Sequence, residues 1–161
     1  MSNKTPKANA AKTASAPKIY QKLFIAVLVG GVLLSLFAAL TLHNTAHRLT
    51  FGGRSFSYET AVTQQQQELG LSYRRNLAKN AAMLFVFPKP AIECFWMKDM
   101  NFPLDMIWLD ANKRVVHIEQ NAPPSSYPNS FCPIIPSQYV IEVNAGTISA
   151  TGLKIGDPVS F

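Results

Sequence analysis

Acidic residues are scarce in this chain: only 9 of its 161 residues are Asp or Glu, and the first 22 residues contain none. Those 22 residues carry five lysines, so most of the formal net charge of +6 belongs to this segment. The rest of the chain has 10 basic and 9 acidic residues, a net charge of +1. Because a nucleic-acid-binding domain needs clustered basic side chains on one face, we do not expect nucleic acid as a partner.

Two further absences divide the N-terminal part of the chain. Residues 1–18 contain no large apolar residue after Met1, so residues 1–22 are predicted to be a disordered basic tail. Residues 23–42 contain no charge, and about 20 apolar residues at ~1.5 Å per residue span a ~30 Å hydrocarbon layer as a helix. The preceding lysines place the tail in the cytoplasm. The lipid bilayer is therefore the expected partner of residues 23–42.

A cleaved signal peptide is the alternative to a retained signal-anchor. The apolar stretch is longer than the usual signal core of about 7–15 residues. Cleavage near Ala39 or Ala46 would place Phe37 or Asn44 where a small residue is preferred. Both alternatives export the remainder of the chain, in which we expect a polar linker over residues 43–53 and an extracytoplasmic compact domain over residues 54–161.

Short alternating or apolar runs dominate the exported part and predict a mostly β domain. Residues 54–62 alternate as a first strand, residues 81–87 and, except for Asp105, residues 104–109 are continuous apolar strands, and residues 121–137 form a long loop. Thr63 and Gln66 predict a capping box for a short helix ended by Gly70, whose glutamine run 64–67 is interpreted as its solvated side. The predicted fold is a small barrel-like or sandwich domain of six to seven short strands and two short helices.

Cysteine is nearly absent, since only Cys94 and Cys132 occur. An even number of cysteines outside the cytoplasm favours a disulfide, and closing a loop of about 39 residues contributes roughly 4 kcal/mol in the chain-entropy model. Two buried thiols, or a nucleophile formed by one cysteine with His117, are the alternatives. The separated His and acidic residues do not have metal-ligand spacing, so we predict neither a metal nor a cofactor.

Seven segments resemble one known family when taken in order. They are Gly70–Arg74, Met83–Phe87, Phe95–Met100, Pro103–Asp105, Ala122–Pro123, Tyr139–Gly146 and Gly152–Asp157. The chain resembles the domain of unknown function 192 family over about residues 55–161. That resemblance implies a compact, mostly β, barrel-like domain often found behind an export signal, and it implies no assigned reaction. The sequence departs from the family pattern at Ser72, where methionine is usual, and at Asp99, where asparagine is usual.

The stretch from Phe95 to Asp110 combines apolar bulk with charge. It holds both tryptophans and three of the five methionines, so it is predicted to be the centre of the core. It also holds Lys98, Asp99 and Asp105. A carboxylate between Leu104 and Met106 in a buried strand needs a cation or several hydrogen bonds. We expect Asp105 to stay ionised beside a basic side chain, either Lys98 or Arg74.

Three functions are compatible with these residues. The first is a binding module for a small polar ligand or cell-envelope component, with Glu142 as a second oddly placed acid. Its candidate site residues are Arg74, Trp96, Lys98, Asp99, Asp105 and Glu142, beside the loop 121–137. The second is a hydrolase-type enzyme that uses Asp105 or Glu142 with Lys98 as acid–base groups. The third is a purely structural or assembly protein. An enzyme needs two titratable groups that converge on one cavity point, whereas a binding module needs only a cavity with polar groups around it.

Overall fold

The computed structural model describes residues 47–161, so the predicted tail, the predicted membrane span and residues 43–46 of the predicted linker lie outside the described residues. Eight strands and two short α-helices make up the described part. The strands are Arg48–Phe51 (β1), Arg54–Ala61 (β2), Ala81–Ala91 (β3), Phe95–Trp96 (β4), Leu104–Leu109 (β5), Val115–Ala122 (β6), Ser130–Phe131 (β7) and Ser137–Asn144 (β8). The helices are Gln64–Leu69 (α1) and Thr147–Thr151 (α2), with a 3₁₀ turn at Pro124–Ser126.

Six strands form one mixed sheet in the order β1-β2-β3-β8-β5-β6, and β4 pairs with β7 as a separate ribbon. β2 and β3 run parallel, while the other neighbours in the sheet are antiparallel. Near the C-terminus, Ser160 bridges to Thr50 and Pro158 bridges to Arg114. The prediction of a mostly β domain with two short helices is confirmed. The barrel-like form is not confirmed, because the described sheet does not close. The described strands number eight, where six to seven were predicted.

The extra strand comes from the segment predicted to be a linker. In β1, Leu49 and Phe51 are buried whereas Arg48 and Thr50 are exposed, which is the alternation expected of a strand with one buried face. Gly52 and Gly53 have positive φ angles of 52° and 70°, so the Gly-Gly pair makes a tight turn into β2 rather than a flexible linker. β3 likewise continues past Pro88 and Pro90, although its pairing with β8 shifts between Val86 and Ala91.

Each face of the sheet carries its own apolar core. We call the first the α2-side core, whose buried members are Leu49, Phe51, Phe56, Ala82, Leu84, Ile107, Leu109, Val115, Ile141, Val143, Ile148, Leu153 and Val159. We call the second the pocket-side core, whose buried members are Ala61, Leu71, Leu77, Met83, Phe85, Phe87, Met97, Leu104, Met106, Trp108, Ala122 and Val140. Every residue of β5 is buried. The prediction that the stretch from Phe95 to Asp110 lies in the core is confirmed for Met106 and Trp108.

Candidate functional site

A pocket of about 210 Å³ lies on the side of the sheet that carries the pocket-side core. Parts of the chain that are distant in sequence line it: α1 and the turn after it, the middle of β3, the segment from Glu93 to Trp96, and one residue of β8. The lining residues are Gln64, Gln67, Glu68, Leu69, Gly70, Leu71, Ser72, Phe85, Phe87, Glu93, Cys94, Phe95, Trp96, Met100 and Glu142. Three of these residues are acidic, and none is a lysine, arginine or histidine.

Hydrogen bonds that the sequence encodes fix the start of helix α1 and tie the helix to β3. The Thr63 side chain accepts from the Gln66 backbone N–H, and the Gln66 side chain accepts from the Thr63 backbone N–H at 3.0 Å. This confirms the predicted capping box. Gln67 Nε2 donates to the Val86 carbonyl at 2.9 Å, which ties α1 to β3. The glutamine run is therefore only partly solvated, because one of its members anchors the pocket wall.

Gly70 follows α1 and occupies a conformation that favours glycine, with φ 49° and ψ −129°. A Cβ atom at this position would lie 3.4 Å from Phe85 Cζ and 3.8 Å from Glu142 Oε2. The absent side chain therefore allows the backbone to turn here and leaves space next to the Glu142 carboxyl group.

Two side-chain hydrogen bonds join the turn after α1 to the turn after β4. Each involves a residue that departs from the family pattern, Ser72 in one and Asp99 in the other. Ser72 Oγ donates to the Lys98 carbonyl at 2.8 Å, and Tyr73 OH donates to Asp99 Oδ2 at 2.6 Å. The bond to the Asp99 carboxylate raises the pKa of Tyr73. Asp99 has a positive φ of 56°, a region where Asn and Asp are the best tolerated non-glycine residues. Asp99 therefore contributes to the loop geometry beside the pocket and does not line it.

Among the residues that line the pocket, Glu142 is the one with a buried side-chain oxygen that lacks a hydrogen-bond partner in the described part of the chain. It is 5% exposed, and its cross-strand neighbours on both sides are methionines, Met83 on β3 and Met106 on β5. Methionine offers no hydrogen-bond donor, and Glu142 Oε2 has no hydrogen-bond partner among the described residues. Burial raises the pKa of Glu142 to about 8, although the positive charge of Arg74 partly opposes this rise. At neutral pH the carboxyl group is therefore mainly protonated.

The pH dependence of stability should reveal this carboxyl group. The folded chain keeps the Glu142 proton up to about pH 8, whereas the unfolded chain releases it near pH 4.5. The folded state binds more protons between these values, so the contribution of Glu142 to the free energy of unfolding falls as pH rises through this window. We expect Glu142→Gln, which cannot ionise, to gain a few kcal/mol relative to wild type between pH 5 and pH 8.5.

Urea denaturation at several pH values measures this difference. Glu119→Gln, which alters a carboxylate on β6 outside the pocket, is the control and should show a much smaller pH-dependent gain. A Glu142→Gln variant that tracks wild type at every pH would show that the carboxyl group is not desolvated.

Arg74 lies near this site but is engaged elsewhere. Its Nη1 and Nη2 atoms donate to the two carboxylate oxygens of Glu59 at 2.8 and 2.9 Å. The Arg74 hydrogen bond lowers the pKa of Glu59. This is the only Lys/Arg–carboxylate ion pair within residues 47–161. Arg74 therefore influences Glu142 through its charge and does not satisfy the carboxyl group.

Asp105 is fully buried, but its partners differ from the predicted cation. Asp105 Oδ1 accepts from the Asn121 backbone N–H, and Oδ2 accepts from the Ile148 backbone N–H, both at 2.8 Å. Lys98 is exposed, and Arg74 pairs with Glu59. The prediction of a basic partner for Asp105 is wrong, because two backbone amides supply the hydrogen bonds that the buried carboxylate needs.

The two buried acids also face opposite sides of the sheet. In the pairing of β5 with β8, Asp105 is opposite Val143 and Met106 is opposite Glu142. Because successive side chains of a strand point to opposite faces, Asp105 belongs to the α2-side core and Glu142 to the pocket. The structure therefore does not bring Asp105, Glu142 and Lys98 together as acid–base groups.

Of the six candidate site residues, Trp96 and Glu142 line the pocket, whereas Arg74, Lys98, Asp99 and Asp105 do not. No residue of the loop 121–137 lines it either. Sequence reasoning missed the contributions of Gln64, Gln67, Glu68 and Glu93, as well as the aromatic wall of Phe85, Phe87 and Phe95. The glutamine run was the one signal in the sequence that could have pointed to α1 as a wall of the site.

Cys94 and Cys132 form a disulfide, as predicted. Cys94 lines the pocket, and the bridge lies beside the pairing of Phe95 with Phe131 and of Trp96 with Ser130. Trp96 is 47% exposed, so it forms part of the pocket edge rather than the core. The disulfide therefore holds the segment that carries Glu93, Phe95 and Trp96 against β7.

Two further observations concern the described residues as a whole. Within residues 47–161, no group of three or more His, Cys, Asp or Glu residues is arranged to hold a metal ion. Neither helix in this range has the length and apolar character needed to cross a bilayer. The predicted span over residues 23–42 lies outside the described range.

These features define a small, mostly β domain, with one six-stranded sheet and a two-stranded ribbon, and with an acidic, partly aromatic pocket. The model of the DUF192 family, described as "Uncharacterized ACR", matches residues 47–161. The chain belongs to this family, and the resemblance predicted from the sequence is confirmed. A search of curated proteins finds no match.

Two crystal structures are similar to this chain. One is a protein of unknown function from Novosphingobium aromaticivorans, with 30% identity and a TM-score of 0.67 over 71% of this chain and 84% of that chain. The other is described as a candidate transcription regulator from Sinorhizobium meliloti, with 37% identity and a TM-score of 0.65 over 70% of this chain and 89% of that chain. Both support the fold described above.

Proposed function

We propose that this protein is a membrane-tethered, extracytoplasmic module that binds a small polar ligand in the pocket beside Glu142. The observation that carries the proposal is the buried Glu142 carboxyl group, which lines the pocket and whose Oε2 atom has no hydrogen-bond partner among the described residues. An unsatisfied buried polar group costs about 1–3 kcal/mol. A ligand that hydrogen-bonds to this group removes that cost, and the free energy recovered favours binding.

The dimensions and lining of the pocket also support a binding role. Pockets for drug-sized molecules usually measure about 300–1,000 Å³, so a volume of about 210 Å³ suits a smaller ligand. Aromatic side chains and a few polar groups line it, which is the usual composition of a ligand site. The other buried side-chain atom without a partner in the described part, Ser137 Oγ, does not line this pocket.

The tether rests on the sequence and on the disulfide. Residues 23–42 have the length and composition of a membrane span, and the lysines before them favour a cytoplasmic N-terminus. A disulfide between the only two cysteines is typical of an oxidising, extracytoplasmic compartment.

The alternative functions have less support. A hydrolase using Asp105, Glu142 and Lys98 needs groups that lie on different sides of the sheet or outside the pocket. A purely structural role would be favoured by the absence of a cavity and by a closed, buried pair of Lys98 with Asp105, whereas a pocket is present and the two residues do not pair. We do not extend the description of the Sinorhizobium meliloti protein to this chain, because 10 basic and 9 acidic residues beyond position 22 offer no basic excess for nucleic acid.

Thermal-shift screening of the full chain in detergent micelles tests the proposal. Small sugars, amino acids, amines and carboxylic acids form the screening set. A ligand at about 100 times its Kd stabilises the folded state by about 2.7 kcal/mol, so we expect at least one class to raise the melting temperature of wild type and of Glu119→Gln. The same compounds should have a much smaller effect on Glu142→Gln. Stabilisation that is unchanged in Glu142→Gln would place binding elsewhere, and no stabilisation by any class would contradict the proposal.

A further inference from the structure

We infer that the ligand is a small organic cation whose ammonium group hydrogen-bonds to Glu142 and whose apolar part packs on the aromatic wall. This inference rests on the proposed function and specifies its ligand class. Four features of the described pocket support it: the charge of its lining, the orphan acceptor, the aromatic side chains and the neighbouring cation that is already paired.

The charge of the pocket favours a cationic ligand. Glu68 and Glu93 line it beside the Glu142 carboxyl group, and no basic side chain does. The cation whose charge acts on Glu142 is Arg74, and it already makes two hydrogen bonds to Glu59. A ligand carboxylate or phosphate would meet acidic residues without a compensating charge, whereas an ammonium group meets the complementary charge.

The orphan oxygen selects a hydrogen-bond donor. Glu142 Oε2 lacks a donor because Met83 and Met106 flank it in the sheet and Gly70 has no side chain beside it. An ammonium N–H placed there forms a charge-assisted hydrogen bond, which is about twice as strong as one between neutral groups. The carboxyl group is buried and preformed, so little ordering is needed before the ligand binds.

The aromatic wall accounts for the rest of the ligand. Phe85, Phe87, Phe95 and Trp96 line the pocket, and the Phe85 and Phe95 rings contact each other edge-on with centroids 4.8 Å apart. Aromatic faces attract cations and pack well on apolar groups. An ammonium ion on a short apolar or aromatic stem therefore suits both parts of the lining.

Ionisation of Glu142 links binding to pH. In the free protein burial keeps the Glu142 pKa near 8, and a bound cation favours the ionised form. Binding at pH 7 therefore releases a proton, and affinity should rise between pH 6 and pH 8. The charged and titratable residues around Glu142 are Glu68 on α1, Glu93 before β4 and Arg74 in the loop after α1.

A matched series of probes tests the ligand class: benzylammonium, benzyl alcohol and benzoate, which share a ring and differ in charge. Their binding to the ¹⁵N-labelled full chain in detergent micelles is measured from NMR shifts of the Trp96 indole and the Gly70 amide. At pH 8.5, where most of the Glu142 carboxyl group is ionised, we expect benzylammonium to bind about tenfold more tightly than benzyl alcohol, as a charge-assisted bond implies, and benzoate to bind most weakly. Glu142→Gln should remove the preference for the cation, whereas Glu119→Gln should retain it.

The outcomes separate this inference from the proposed function. Equal or tighter binding of benzyl alcohol or benzoate at the same resonances would overturn the cationic ligand class and leave the pocket as a binding site. A cation preference that persists in Glu142→Gln would also overturn the inference. The binding function itself fails if no compound of the thermal-shift set raises the melting temperature and none of the three probes shifts the pocket resonances.

Discussion

Replacing Asp105 with alanine should lower the free energy of unfolding by about 3–5 kcal/mol, because one buried and one part-buried backbone N–H group lose their acceptor at about 1–3 kcal/mol each. The two groups belong to Asn121 and Ile148. Ile148 lies in the first turn of α2, whose N-cap residue is Gly146 and has no side chain to cap the helix. Asp105 therefore serves as a remote cap for α2 and also fixes the end of β6.

Urea denaturation of the full chain measures this loss. Asp105→Asn keeps an oxygen for only one of the two amides, so we expect an intermediate loss of about 2 kcal/mol. Lys98→Ala removes an exposed side chain and should change stability by less than about 0.5 kcal/mol. Arg74→Ala breaks a surface ion pair and should cost no more than about 1 kcal/mol. If Lys98→Ala or Arg74→Ala lost as much free energy of unfolding as Asp105→Ala, that result would contradict the amide partners and support the cation partner predicted from the sequence.

Loss of the disulfide should lower the free energy of unfolding by about as much as Asp105→Ala does. Cys94 and Cys132 are separated by 38 residues, and the chain-entropy model gives roughly 4 kcal/mol for a loop of this length. Both cysteines are exposed, so Cys94→Ala with Cys132→Ala leaves no core cavity that would add to the loss. For a domain of this size the melting temperature should fall by about 15 °C or more.

The same bridge reports on the location of the domain. We expect the full chain isolated from cells without reducing agent to be inert to maleimide until a reductant is added, because an exported domain meets an oxidising compartment. The variant Cys94→Ala, with one unpaired thiol, is the control and should react at once. Two reactive thiols in the freshly isolated wild-type chain would contradict the proposed extracytoplasmic location, and a double variant as stable as wild type would contradict a stabilising role of the disulfide.

Local patterns predicted the local structure well. The Thr63 capping box, the buried run of β5 and the bond between the only two cysteines follow from nearest-neighbour chemistry or from simple counting. β1 was missed because four residues with two buried positions give a weak alternating signal, and the Gly-Gly pair after them is as typical of a linker as of a tight turn.

The site could not be predicted in the same way. Asp105 and Glu142 look alike in sequence, since each is a lone acid within an apolar strand. Only strand register and the distant partners distinguish them: Asp105 meets amides from residues 121 and 148, whereas Glu142 is flanked by two methionines. The pocket combines residues from position 64 to position 142, so no local window contains it.

Carbon-13 NMR of the Glu142 side-chain carboxyl group, titrated with pH in the presence and absence of benzylammonium, tests the central claim most directly. We expect the free protein to titrate with a midpoint near pH 8, and the midpoint to fall when the cation is bound. Comparison with Glu142→Gln assigns the signal. A midpoint near the ordinary value of 4.5 in the free protein, or one that benzylammonium leaves unchanged at saturating concentration, would contradict the assignment of Glu142 as the ligand-binding group of this pocket.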